Sequence, residues 1–314
     1  MFSTRQSDGL DAILQRQVST DNSSLSQRYA QSSSFAFFIL STIYHLLRHV
    51  PLPSTAPLTD HTKIRLVCVS DTHNNILPFS DVPQGDILVH AGDLTHSGST
   101  EELQKTLNWL RSLPHQYKVF IAGNHDTGLA GDGCSALDMS GLIYLCDEGV
   151  DISVRGRNLG IYGSPWTPKH GNFAFQYPRD AGQAQWAKLV SELDVLITHG
   201  PPKGHVDHSG YGCNALLNAI WQVKPKVMIC GHIHAGHGME VMEWDEGQRF
   251  WEKVVRARNI VGWWGMVVGT WKLVYTWLGT LMGREQPDTS YILNCAIVGG
   301  TRDDIVRPAV VLDV

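Results

Sequence analysis

Asp71 and His73 stand two residues apart where the apolar run 64–69 ends. Residues two apart on an extended chain point to the same side, so a carboxylate and an imidazole can converge there on one cation. The arrangement recurs in kind four more times. Runs beginning at Asp86, Tyr117, Asp194 and Lys226 close on Ala91-Gly92-Asp93, on Gly123-Asn124-His125-Asp126, on Thr198-His199-Gly200 and on Gly231-His232-Ile233-His234. Oxygen and imidazole donors without clustered cysteine suit a divalent ion such as Mn, Fe, Zn, Co or Ni. Seven candidate ligands, Asp71, His73, Asp93, Asn124, His199, His232 and His234, are too many for one ion. They suit two, with one carboxylate shared.

Positioning these groups requires strands that end together. In open α/β sheets the ligand site lies beyond the carboxyl ends of the strands, so the five endings should gather at one edge, with the glycines letting the backbone turn and approach a ligand. Helices are expected between the strands. Ser99 and Glu102 read as a capping box ahead of the stripe Leu103, Leu107 and Leu110, with Pro114 beyond. Trp186, Leu189, Val190 and Leu193 read as a second helix, and Leu216, Leu217, Ile220 and Val223 as a third that stops before Pro225. Strands alternating with such helices imply βαβ units. Segments 142–162, 238–244, 291–297 and 309–312 are strand-like and could build a second sheet.

The order D-x-H, G-D, G-N-H-D, H-G and G-H-x-H, complete between Asp71 and His234, resembles the calcineurin-type metallophosphoesterase superfamily. Gly163-Ser164-Pro165-Trp166, Thr198-His199-Gly200-Pro201-Pro202 and Gly212-Cys213 are similar, more narrowly, to the brain metallophosphoesterase-domain phosphodiesterases. The resemblance implies an α/β fold of two packed mixed β-sheets flanked by helices, an αββα sandwich. It assigns Asp71, His73, Asp93 and His234 to a first metal and Asp93, Asn124, His199 and His232 to a second, so that Asp93 bridges. Manganese is the favoured ion.

The chemistry expected of such a pair is attack of a metal-bridging hydroxide on phosphorus. His125 would face the substrate and protonate the leaving oxygen, and Asp126 would orient it. The substrate class is a small phosphate diester, with the narrower resemblance pointing to a cyclic nucleotide. A phosphomonoesterase or protein phosphatase is the alternative. Against the protein phosphatase stands the lack of an arginine pair beside the motifs, although Arg155, Arg157 or Arg179 could fold into the site. A metal-binding, membrane-recruited scaffold with weak catalysis is the reading from another class, and the complete G-H-x-H weighs against it.

Composition sets the outer bounds. The chain of 314 residues is 43% hydrophobic and 18% charged, with a formal charge of −5, which speaks for a globular protein and against a binder of nucleic-acid polymers. Its six cysteines include no C-x-x-C pair, as expected in a reducing, cytoplasmic setting. Residues 1–62 read as a leader. It comprises a disordered Ser- and Gln-rich stretch 1–34, an apolar segment 35–47 too short to span a bilayer, and a proline-rich linker 51–62. The catalytic domain would follow over 63–314, with a Trp/Gly-rich insertion at about 250–285. Within it, Gly262, Gly265, Gly269, Lys272, Thr276, Gly279 and Gly283 draw a small and polar stripe along 260–282. Lys272 argues against crossing a membrane. The basic flanks suit peripheral contact with an anionic membrane surface. His96, His205 and His237 lie near motif loops and read as solvated, with His90, His170 and His208 left open. Nothing in the sequence sets the oligomeric state.

Overall fold

The run ahead of Asp71 is strand β1 (Arg65–Val69) of a computed structural model. The structure describes residues 35–47, 63–189, 193–208, 210–257, 263–282, 288–300 and 303–314. The expected leader 1–34, the linker 51–62, Val190, Gly262 and Gly283 lie outside the described residues.

The first sheet has the order β11-β1-β2-β3-β4, from β2 (Ile87–Ala91), β3 (Tyr117–Ile121), β4 (Ile143–Tyr144) and β11 (Val310–Asp313). Strands β1 to β4 are parallel. Every residue of β2 is buried, which is why the sequence reads there as an unbroken apolar run and not as an alternating one. Between β2 and β3 runs α2 (Thr100–Ser112). Ser99 Oγ accepts from Glu102 N at 3.2 Å, and Leu103, Leu107 and Leu110 are buried. The reciprocal half of the capping box is not made. The Glu102 carboxylate turns to Ser97 instead, accepting from its N and Oγ at 2.9 and 2.8 Å.

The second sheet has the order β9-β10-β8-β7-β6-β5. Its strands are β5 (Glu148–Val154), β6 (Arg157–Ser164), β7 (Val195–Thr198), β8 (Val227–Cys230), β9 (Gly238–Glu243) and β10 (Thr289–Asn294). β6, β7 and β8 are parallel, while β5 returns antiparallel on β6. Three expectations are corrected. The five motif strands divide between the two sheets, three in the first and two in the second. Residues 143–144 and 310–313, expected in the second sheet, join the first, where Val119 pairs with Ile143, Leu312 with Leu66 and Asp313 with Arg65; Arg65 Nε donates to Asp313 Oδ1 at 2.7 Å. The helix expected around Trp186 is the short α3 (Gly182–Trp186), which ends where the Trp186 indole donates to Tyr177 Oη at 2.9 Å. By contrast, α4 (Asn214–Val223) stops on the left-handed Lys224 just before Pro225 as the sequence suggests.

Backbone bonds stitch the sheets together at the ends that matter. Ser70 N donates to Cys295 O, and Ile297 N donates to Ser70 O, both at 2.8 Å. The endings of β1 and β10 thereby hold one another in place.

The described residues fall into two units, 63–239 with 292–314 and 35–47 with 240–291. In the second, α1 (Phe35–Leu47), α5 (Glu246–Ala257) and α6 (Trp263–Leu281) share a small core of Leu40, Val254 and Leu273. Tyr44 stacks on Trp251 with ring centroids 4.5 Å apart. The small-residue stripe of α6 faces inward. Gly269 is buried, and a Cβ there would run into the Phe250 ring. Among the described residues no helix is long and apolar enough to cross a membrane.

Candidate metal centre

The ends of β1, β2, β3, β7 and β8 bring the seven candidate ligands to one place. Four of them, Asp71, His73, Asp93 and His232, hold positive φ angles of 50°, 44°, 53° and 66°. Such backbone is uncommon for residues with a side chain, and its persistence marks a site where the surroundings over-determine the geometry. Gly123 shows why a glycine stands beside the ligands. A Cβ there would strike the backbone N and a carboxylate oxygen of Asp93.

Among the described residues four groups have donor atoms within 4.8 Å of one another: Asp71, His73 and His234; Asp93, His199 and His232; His73, Asp93 and His125; and His73, His96 and Asp303. The first two consist of expected ligands alone. Asp93 Oδ2 lies 3.4 Å from His73 Nε2 and 3.3 Å from His199 Nε2, so it faces both groups. His234 Nε2 lies 3.3 Å from Asp71 Oδ1. Asn124 Oδ1 stands 3.1 Å from His199 Nε2. The second nitrogens are tied from behind. His199 Nδ1 donates to the Ala91 carbonyl at 2.9 Å and His73 Nδ1 meets Asp303 Oδ2 at 2.7 Å. Both rings are thus held with Nε2 turned inward.

The electrostatics ask for positive charge. Burial works to lower the pKa of His73, but Asp93 and Asp71, with Asp303 behind, raise it to about 9. Burial opposes protonation of His199 as well, and Asp93 and Asp71 bring it to about 9. Burial alone would raise the carboxyls. Even so, His234 and His199 hold Asp71 below the ordinary carboxylate range, and His199 and His73 hold Asp93 well below it. His232 differs. Burial and then the His199 charge lower it to about 3, leaving a neutral lone-pair donor. Oxygen and imidazole donors, no thiol, and donors spaced at 3.3–3.4 Å fit divalent ions. Two donors each about 2.1 Å from one ion stand about 3.0–3.4 Å apart.

His125 sits at the rim of this cluster. Its backbone N donates to Asp93 Oδ1 at 2.8 Å and its Nδ1 donates to the His96 carbonyl at 2.8 Å, which leaves Nε2 as the open nitrogen. Its ring lies 4.9 Å from His73 and 5.1 Å from Phe173. Asp126 does not orient it, and that expectation is corrected. Its buried carboxylate accepts from Gly123 N, Leu94 N, Thr95 N and Thr95 Oγ1 at 2.8–3.1 Å, bracing the Asp93 loop against the Asn124 loop. Burial and the nearby Asp93 raise its pKa to about 6.

The residue that motif reading missed is Asp303. It meets His73 and comes within 3.6 Å of His234 Nδ1 and 3.8 Å of His96 Nε2. His96 is a half-exposed rim residue as expected. His205, read as solvated, is buried, and His237 is half-buried, with its Nδ1 donating to the Ala296 carbonyl at 2.9 Å.

Beside His232 opens a cavity of about 200 Å³ lined by His170, Arg179, Gly200, Tyr211 and Ile233. A larger one, about 480 Å³, shares Pro168, Arg179, Gly212 and Cys213 with it and adds Lys203, Asn214, Gln183 and Gln222. Of the three arginines considered from sequence, only Arg179 reaches this region. Arg155 pairs with Asp86 and Arg157 donates to the Val314 carbonyl.

Two mixed sheets carrying an Asp/His/Asn cluster at the strand ends define an α/β protein with a candidate centre for two divalent ions. The family model of the calcineurin-like phosphoesterases matches residues 64–236, and the chain belongs to that family. Over 305 residues, 92% of its length, it is 40% identical to a protein of Emericella nidulans named "Probable rhamnogalacturonate lyase C", of which it spans 28%. It is 37% identical over 218 residues to human metallophosphoesterase domain-containing protein 1, covering 60% of this chain and 66% of that one. A UPF0046 protein of Caenorhabditis elegans is 36% identical over 220 residues, 60% of this chain and 75% of that one. The matched metallophosphoesterase-domain proteins agree with the narrower resemblance drawn from the motifs.

Proposed function

We propose that the chain is a phosphodiesterase for small organic phosphate diesters, with a cyclic nucleotide as the leading substrate class. One observation carries the choice of diester: a single arginine, Arg179, faces the cavity beside His232. One guanidinium matches a monoanionic diester, whereas a monoester dianion calls for a paired arginine clamp. The adjoining larger cavity offers the amides of Asn214, Gln183 and Gln222, donors and acceptors suited to the edge of a heterocycle.

In this reading Asp71, His73, Asp93 and His234 hold one divalent ion and Asp93, Asn124, His199 and His232 the other, with Asp93 shared. Such a pair supplies, when bound, an acidified water and Lewis-acid neutralisation of phosphoryl charge. The remaining work falls to side chains. Arg179 pairs with the anionic phosphoryl oxygen and orients the ester. His125, its Nδ1–H fixed on the His96 carbonyl, acts as the imidazolium and hands its Nε2 proton to the departing alkoxide, leaving the neutral ring. Asp126 keeps the two loops at fixed spacing.

The test compares hydrolysis of a bis-aryl phosphate diester with its aryl monoester, on protein of measured metal content. The diester is expected to show the higher kcat/KM. Asp93→Asn should lose metal and turnover together, while His125→Ala keeps its metal and loses roughly 10²–10⁴ in kcat. Preference for the monoester, or two bound metals with no diester turnover, would overturn the reading.

A further inference from the structure

Helix α6 wears its bulk on the outside. Leu273 is fully buried with Leu40 and Val254, and Gly269 is tucked against Phe250. On the outer face Val267, Trp271, Leu278 and Met282 are exposed, Trp271 to 69% and Met282 to 84%. These four follow one another at spacings of four, seven and four residues, so they form a single line along the helix, about 22 Å long at 1.5 Å per residue. Tyr275 falls on the same line and is half exposed. On α1 of the same unit Leu46 is exposed to 73%. Scattered apolar residues on a surface mean little, but a continuous ridge of this size marks an interaction face.

Charge identifies the partner. Between residues 246 and 285 the chain carries six basic residues, Arg249, Lys253, Arg256, Arg258, Lys272 and Arg284, and three acids, Glu246, Glu252 and Glu285, the exposed Glu246 lying 3.8 Å from both Arg249 and Lys272. Glu252 is buried, so it does not face an approaching surface. A two-fold pairing of this stretch with its counterpart in a second copy would set like charges against one another. A tryptophan and a tyrosine on the ridge suit the boundary between lipid headgroups and acyl chains, where an aromatic ring is half buried. Among the described residues no helix is long and apolar enough to cross a membrane, so a contact made by this ridge would be in the plane of the surface.

We propose that α6 is an in-plane anchor that rests the second unit on an anionic phospholipid surface. The inference is independent of the substrate reading. It is tested by floating the full chain with vesicles of phosphatidylcholine alone, and of phosphatidylcholine with phosphatidylserine at about three to one, the anionic lipid supplying the attraction. Flotation with the anionic vesicles is expected, falling as salt rises. The triple variant Val267→Ser/Trp271→Ser/Met282→Ser should float roughly tenfold less, since apolar burial supplies the rest of the binding. Its hydrolysis of a soluble ester should match the parent, showing that it folds.

A chain that stays unbound with both vesicle types, or a variant that floats as well as the parent, overturns the proposal. So does a vesicle-free dimer that the same three substitutions convert to monomer, because the ridge would then belong to a second copy.

Discussion

Asp303 stands behind two ligand candidates at once, 2.7 Å from His73 Nδ1 and 3.6 Å from His234 Nδ1. A carboxylate behind a ligating imidazole fixes its tautomer and raises its basicity. Asp303→Ala is therefore expected to weaken metal binding roughly 10–100-fold, read by competition with a chelator; unchanged affinity would remove it from this role. The seven candidates themselves were legible in the sequence because each follows directly on an apolar run or its glycine. Asp303 was not, since it lies far beyond the last motif and looks like any acidic turn. Asp126 illustrates the opposite error. Being next to His125 in the chain suggested a contact, but the loop turns sharply at Gly123 and sends the carboxylate beneath it, to Thr95 and Leu94.

The strands that carry the ligands show which features of an element are local and which are not. Parallel strands buried on both faces read as continuous apolar runs, so β1, β2, β3, β7 and β8 could be recognised one by one. Which sheet each joins has no local signal. β11 reaches β1 through long-range pairs such as Arg65 with Asp313, and α3 ends at a tryptophan whose indole donates to Tyr177. Strand β3 should be the most sensitive support of the centre. Phe120 is 1% exposed, stacks on Tyr144 with centroids 5.0 Å apart, and stands four residues before Asn124. Phe120→Ala is expected to cost about 3–5 kcal/mol, measured as a shift in the urea midpoint. A loss under about 1 kcal/mol, typical of a tolerated core swap, would mean that the neighbouring side chains collapse into the space.

For the molecule as a whole, acid stability should depend on a histidine outside the ligand set. His90 is fully buried with Nε2 3.0 Å from Thr72 Oγ1. Burial lowers its pKa to about 4; Asp71 and Asp93 oppose that, while His199 and His73 add to it. Between about 4 and the ordinary 6.5 the unfolded chain binds the proton that the folded chain refuses. Stability is therefore lost as pH falls through that window, on the order of 3 kcal/mol in full. His90→Gln, which can keep the bond to Thr72, should flatten the curve of unfolding free energy against pH there; parallel curves for parent and variant would assign the acid sensitivity elsewhere. The same centre of the sheet has a consequence in time. β1 is completed on one side by residues 248 positions downstream. At a synthesis rate of about 5–20 residues per second, that edge waits roughly 12–50 s on the ribosome with its backbone groups open. An emerging chain thus exposes an apolar strand to its neighbours well before its own partner strand exists, and it is in that interval that chaperone contact would matter most to its yield.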